Sequence, residues 1–327
     1  MNKNCAIVTG GLGFIGSNIS KKLIETKVVK KVIIVDNFNS FFNPNSSKFK
    51  DYRSERFNGY FKDIIFERAE VANYAIMQRI IEKYRPKYIF HLAALPLAKI
   101  ENLSASEALE GSVIATKNIL EIIHHMKETS NYNISRFIYT SSSMVYGDFK
   151  KNSVNEKTET NPKDIYGTMK LAGETVTKGL SKSYNINYTI IRPSAVYGPT
   201  DMNNRVCQIF IEKAIKGDVI NVKGKDEKLD FTYVEDLAQG FILSAVNSKG
   251  KNETFNITYG SSRSLYDLVN ILQKYFPLLN YKIVSRDQSK PMRGTLNIIK
   301  AKKLLGYSPK FSLNKGIKKY IGYLINK

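Results

Sequence analysis

The sequence predicts an α/β fold, with a doubly wound parallel sheet and a smaller mixed α/β lobe toward the C-terminus. Three observations predict it. Short apolar runs alternate with stretches of helical spacing over the first 195 residues. The runs are continuous, as in strands buried on both faces, not alternating as in a half-exposed sheet. A glycine turn closes the first run and opens an amphipathic stretch.

Residues 5–9 (CAIVT) form the first strand, and a helical stretch extends from the glycine turn to about Lys27. Residues 31–35 (KVIIV) are the second strand. The polar, aromatic segment 37–60 is rich in Asn and Ser and reads as a loop with a short helix. Residues 63–67, 87–92, 135–140 and 187–192 are four further strands, and helices are expected over 72–85, 104–128 and 166–184. Beyond Pro199 the rhythm weakens, with denser glycine, proline and charge. The expected division is 1–195 for the sheet domain and 196–327 for the lobe, with 231–257 returning to the sheet.

Composition narrows the function. Of 327 residues, 43% are apolar, enough for a large core, and no run reaches the ~18 apolar residues of a membrane span. The opening MNKNCAIVTG runs straight into a glycine turn, so it reads as a strand and not as a leader. A cytoplasmic location is expected. Cys5 and Cys207 are far apart, and neither has ligand spacing with His91, His124 or His125, so no metal site is expected. The formal net charge of +21 raises nucleic acid as a partner. The charge is dispersed and mostly lysine, with its densest cluster at 300–303 on one helix face. A positive field that draws in a doubly charged small molecule explains it as well, and no nucleic-acid partner is expected.

Gly10, Gly13 and Gly16 have the GxxGxxG spacing, preceded by a strand and followed by a helix. Gly10 permits a tight turn, Gly13 lets the backbone approach a pyrophosphate, and Gly16 lets helix and strand pack closely. The helix N-terminus then offers free N–H groups to phosphate. Asp36 ends the second strand 20 residues after Gly16, where a carboxylate accepts from ribose hydroxyls and repels a 2′-phosphate. Neither Asn37 nor Phe38 supplies a basic group to bind that phosphate. The pattern is that of a Rossmann-type dinucleotide site specific for NAD.

Tyr166 and Lys170 lie at i and i+4 at the start of a long helix, so phenol and ammonium share a face. A nearby cation favours the phenolate and lowers a pKa that is ordinarily near ~10. The run Thr140–Ser141–Ser142–Ser143 sits at the end of the fifth strand, where open α/β sheets place ligand chemistry.

These residues carry a resemblance. TGGLGFIGS (9–17), Asp36, HLAA (91–94), SSSMVYG (141–147), YGTMK (166–170), IRPSAVYGP (191–199), LDFTYVEDLA (229–238) and KAKKLLGYSP (300–309) fall in order along nearly the whole chain. Together they resemble the extended short-chain dehydrogenase/reductases of the sugar-nucleotide epimerase/dehydratase group. The resemblance implies NAD as cofactor, Ser142 as the catalytic hydroxyl, Tyr166 as base, and Lys170 as a ligand of the nicotinamide ribose. It extends the cofactor site to Phe14, Ile15, Asn37, Glu70, Val71, Leu92, Ala93, Ala94 and Pro193, and makes His91 structural. It also implies a homodimer paired through the helices at 104–128 and 166–184.

The chain departs from the pattern in three places. Where 4,6-dehydratases of the family carry an Asp–Glu pair, this chain has Ser143 and Met144, which disfavours dehydration. Leu229 stands where many relatives have a diphosphate-binding arginine, so Arg293, Arg205 and Lys228 become candidate phosphate ligands beside Ser142 and Ser143 at the sugar. Ala195 stands where many have Asn. The leading expectation is a sugar-nucleotide 4-epimerase resembling UDP-glucose 4-epimerase, with a nucleotide-sugar 4-dehydrogenase as the alternative. The LDFTYVEDLA and RGTL segments resemble bacterial surface-polysaccharide enzymes, some acting on GDP-linked sugars including heptoses, so GDP stays open.

Overall fold

A computed structural model describes residues 3–39, 51–94 and 104–326. Seven parallel strands form the central sheet: β1 Lys3–Thr9, β2 Lys31–Asp36, β3 Ile64–Arg68, β4 Pro86–His91, β5 Arg136–Thr140, β6 Tyr188–Arg192 and β7 Glu253–Asn256. Their order is β3-β2-β1-β4-β5-β6-β7. The chain winds outward from β1, then crosses back to β4 and winds the other way. That reversal leaves a crevice at the C-terminal ends of β1 and β4.

Helices cover both faces. Helix α1 (Phe14–Glu25) and α6 (Val234–Val246) pack on one face, over Val8, Val32, Ile34, Phe90 and Ile138. On the other, α2 (Tyr74–Tyr84) and α3 (105–130) pack over Ile7, Ile33, Val35, Ile89 and Phe137. Successive strand side chains thus enter opposite cores, which is why the strands read as unbroken apolar runs. Helix α4 (Ile165–Ser183) packs beside α3, and α5 (Val206–Lys216) belongs to the C-terminal lobe, which has its own core around Phe210, Phe231, Leu268 and Tyr320.

The expected strand positions differ from the observed ones by no more than two residues. Helix α3 differs more: the spacing predicts a regular helix, whereas a π turn interrupts it at Glu110–Ile114. Such a turn adds one residue and is frequent beside functional sites. The loop read at 37–60 is described at 37–39 and 51–60, where Arg53–Arg56 forms a single helical turn. No helix among the described residues is long and apolar enough to cross a membrane.

One buried polar network joins the pieces that carry the serine run and α4. Arg192 at the end of β6 donates to Glu174 of α4 through Nε at 2.8 Å and Nη2 at 2.7 Å. The Ser141 hydroxyl donates to the same carboxylate at 2.5 Å. Arg192 Nη1 donates to the Tyr146 hydroxyl at 2.9 Å, and Tyr146 donates to Asn256 of β7 at 2.8 Å. Burial alone would raise the Glu174 pKa, but the bonds and charge of Arg192 outweigh it and hold the group below its ordinary value. Glu174→Ala strips a buried guanidinium of its carboxylate. It should destabilise the fold by about 3–5 kcal/mol, read as a lowered denaturation midpoint in urea. A midpoint within error of the parent would mean the pair contributes no net stability.

Candidate active site

A cavity of about 730 Å³ opens along the C-terminal edge of the sheet. Each of the six strands β1 to β6 contributes its last residue or the turn after it: Gly10, Asp36, Ala69–Val71, Leu92–Ala94, Thr140–Met144 and Pro193–Val196 all line it. The floor is built by close backbone approach. A Cβ on Gly10 would lie 2.9 Å from the Ala93 nitrogen, and one on Gly16 would overlap the Gly10 carbonyl. Gly10 also has φ +64°, a left-handed conformation that glycine adopts without strain.

Thr9 locks this floor. Its hydroxyl accepts from the backbone N–H groups of Leu92 at 3.1 Å and Ala93 at 3.2 Å, and lies 2.8 Å from His91 Nδ1. With both N–H groups donating to it, the hydroxyl proton is free to go to His91. Burial pushes His91 down to about 3, with the charge of Lys170 adding to the effect, so the ring stays neutral and structural.

The N-terminus of α1 points into this space. Its N-cap, Gly13, supplies no side-chain cap, and the first turn holds no acidic residue. The free N–H groups and partial positive charge suit a pyrophosphate. Asp36 Oδ2 accepts from the Leu12 N–H at 3.0 Å and Oδ1 from the Phe38 N–H at 3.0 Å, which fixes the carboxylate at the rim. Asn37 donates to Glu70 at 2.9 Å beside it. These residues fit a dinucleotide.

Tyr166 and Lys170 enter from α4, whose N-terminus is held by Asp164 accepting from the Gly167 N–H at 2.7 Å. Lys170 Nζ donates to the Thr140 carbonyl at 2.9 Å and sits 5.8 Å from the Tyr166 ring centre. Burial pushes the lysine down to about 8. Burial also raises the Tyr166 phenol, against which the charge of Arg205 and a hydrogen bond with Ser142 pull downward. The Ser142 hydroxyl in turn accepts from the Met144 N–H at 3.2 Å.

All the residues expected at the site line this cavity except Lys228. The short strand Lys228–Leu229 pairs antiparallel with Arg263–Ser264, and its alternation turns Leu229 inward and Lys228 to solvent. Lys228 is therefore withdrawn as a phosphate ligand. Lys290 lines the cavity instead, together with Arg53 and Arg56 from the segment read as a polar loop. No sequence signal marked these three: each lies outside the motifs and the apolar periodicity of the chain. Ala195 lines the cavity at φ +39°, a region that Asn tolerates better than Ala.

The family model for the NAD dependent epimerase/dehydratase family matches residues 6–258. The chain belongs to that family. Among NAD-dependent epimerase/dehydratase relatives, a putative UDP-glucose 4-epimerase of Methanocaldococcus jannaschii is 30% identical over 98% of this chain and 98% of its own. UDP-glucuronate 4-epimerase 3 of Arabidopsis thaliana is 26% identical over 97% of this chain and 76% of its own. Among solved structures, the Thermotoga maritima UDP-glucose 4-epimerase with UDP-glucose has a TM-score of 0.83 and 28% identity, covering 98% of this chain and 99% of that one. The Bacillus cereus UDP-glucuronic acid 4-epimerase, with a TM-score of 0.86 at 24% identity over 98% of this chain and 99% of that one, shares the fold. As a member of this NAD-dependent family, the chain uses NAD, and the cavity has the shape and donors to hold it.

The electrostatics yield a titration test. Without dinucleotide the buried phenol resists ionisation, and Lys170 keeps its proton only below about pH 8. Added NAD brings a positive ring to the pocket, so the Tyr166 ionisation should move at least about one pH unit lower. Ultraviolet difference titration against Tyr166→Phe reads this directly. Lys170→Met should leave the Tyr166 midpoint higher with NAD bound, and a titration that does not move with NAD would overturn the expected effect of the ring.

Proposed function

We propose that this chain is a UDP-sugar 4-epimerase. The observation that carries the reading is the placement of Ser142, Tyr166 and Lys170 in one cavity with Arg293. The Arg293 guanidinium faces that cavity with no hydrogen-bonding partner among the described residues. Burial pushes Arg293 down to about 10, so it stays cationic at neutral pH and is available to a diphosphate. Kinship with UDP-glucose and UDP-glucuronate 4-epimerases supports uridine as the base and C4 as the reacting carbon.

Bound NAD supplies the reversible hydride acceptor that C4 chemistry needs. Tyr166 takes the proton of the C4 hydroxyl, with Lys170 stabilising the phenolate through its charge. Ser142 hydrogen-bonds the same sugar oxygen and keeps it in line with the phenol. Arg293 and Arg205 hold the diphosphate while the sugar presents one face and then the other. Met144 and Ser143 offer neither the acid nor the base that loss of a C6 hydroxyl requires. A homodimer fits the same reading: Leu109 and Ile114 of α3 and Ile165 of α4 remain exposed on the two helices that would pair.

Incubation with a panel of UDP- and GDP-sugars, followed by nuclear magnetic resonance, should show a C4 epimer from a UDP-sugar without net NADH absorbance. Steady accumulation of NADH would point to the 4-dehydrogenase, and turnover of GDP-sugars alone would replace the base. Tyr166→Phe should lower turnover about 10²- to 10⁴-fold with little change in KM.

Arg293→Ala should raise the substrate KM about 10- to 100-fold, the loss expected for charge-assisted bonds to phosphate, with NAD affinity unchanged. An unchanged KM would shift the diphosphate site toward Arg205.

A further inference from the structure

Arg56 is buried, and its guanidinium bridges two loops that lie far apart in sequence. Nη1 donates to the Leu12 carbonyl at 2.6 Å, inside the glycine turn. Nη2 donates to the Thr200 carbonyl at 2.6 Å, and Nε to the Thr200 hydroxyl at 3.3 Å. All three acceptors are neutral oxygens, and the residue lines the cavity.

The second loop, 198–205, is held in an uncommon conformation. Thr200 has φ +68° and Asn204 φ +50°. A β-branched residue in the left-handed region is an outlier that persists only when its surroundings hold it there. Arg56 does so by gripping both Thr200 oxygens. The same loop delivers Met202, Asn203, Asn204 and Arg205 to the cavity wall. It also carries Asp201, buried with Oδ2 lacking a hydrogen-bond partner among the described residues. Burial raises the Asp201 carboxyl, while the charges of Arg205 and Arg56 oppose that rise. One buried carboxylate thus lies in the field of both arginines.

We propose that Arg56 is a positioning residue that couples the two ligand sites, tying the glycine turn to the 198–205 loop so that bound dinucleotide favours binding of the nucleotide-sugar. The inference rests on the functional reading above. The physical route is short. A pyrophosphate at the glycine turn places negative charge near a buried cation whose hydrogen bonds all go to neutral oxygens, with the Asp201 and Asp51 carboxylates in its field but not bonded to it. That strengthens the clamped arrangement, and the clamped arrangement holds Arg205 at the substrate wall. Coupling of this kind is reciprocal, so the substrate must tighten dinucleotide binding by the same factor.

Calorimetry on the full-length protein, after removal of copurified dinucleotide, tests it with NAD and UDP as probes. In the parent protein, saturating UDP should tighten NAD by about fivefold or more. In Arg56→Gln each ligand should still bind alone, but the factor should fall toward one, with Arg56→Lys intermediate. A merely structural arginine would weaken both affinities and leave their ratio alone. Thr200→Val removes the hydroxyl that Nε grips and keeps the β-branched strain, so it should weaken UDP and spare NAD measured alone. If Arg56→Gln does not fold, an unchanged UDP affinity in Thr200→Val overturns the inference. So does a parent protein without coupling, or an unchanged factor in Arg56→Gln. Failure of NAD and UDP to bind the parent at all would instead overturn the functional reading.

Discussion

The pairing of Glu174 with Arg192 is the constraint on which the rest of the site depends. Helix α4 brings Tyr166 and Lys170, β5 brings the serine run, and β6 brings Pro193 and the start of the substrate wall. Each could slide by a fraction of an ångström without leaving the fold. The carboxylate stops that motion because it accepts from Arg192 twice and from Ser141 once. A buried charge pair tolerates little misalignment, since each partner would be left desolvated and unpaired. Tyr166, Lys170 and the serine run are set by a bond that takes no part in the proposed reaction.

The cavity is lined by charges of both signs, but three of its cations make no hydrogen bond to a carboxylate among the described residues. Lys170, Arg293 and Arg56 are cations whose charge burial disfavours in each case. Lys170 and Arg56 are bound by neutral oxygens, and Arg293 has no hydrogen bond among the described residues. Groups of this kind cost stability in the empty protein and return it when an anion arrives. The net charge of +21 acts over longer distance and is spread over the surface, so it bears on encounter with a charged substrate more than on its final placement.

Much of this was legible in the sequence, for physical reasons. Parallel strands buried on both sides leave continuous apolar runs, and those runs located the strands of the sheet. A glycine turn followed by a distant aspartate is a pattern in which backbone can approach a phosphate and a carboxylate a ribose, and these residues all line the cavity. Tyr166 and Lys170 were visible because four residues make one helical turn. Lys228 misled because a two-residue strand has too short a pattern to show which side faces in. Arg56 was hidden because its partners are carbonyls, which every residue possesses, so no residue type in the sequence signals the contact. The π turn in α3 and the left-handed Ala195 were hidden for a related reason: both are backbone states imposed by packing on residues that do not favour them.

The placement of β7 has a consequence for how the protein is made. Glu253–Asn256 pairs with Tyr188–Arg192 and covers that edge of the sheet. During synthesis, everything from β1 to β6 leaves the ribosome before this strand is available. For that interval β6 presents unpaired backbone groups along an apolar strand, the kind of edge on which chains associate. The lobe is thus inserted in time as well as in sequence. Its first residues must emerge, and the strand Glu253–Asn256 must return, before the seven-stranded sheet has a finished border. Trimming the chain to its first 195 residues would not isolate a smaller working unit but would arrest it at its most adhesive stage.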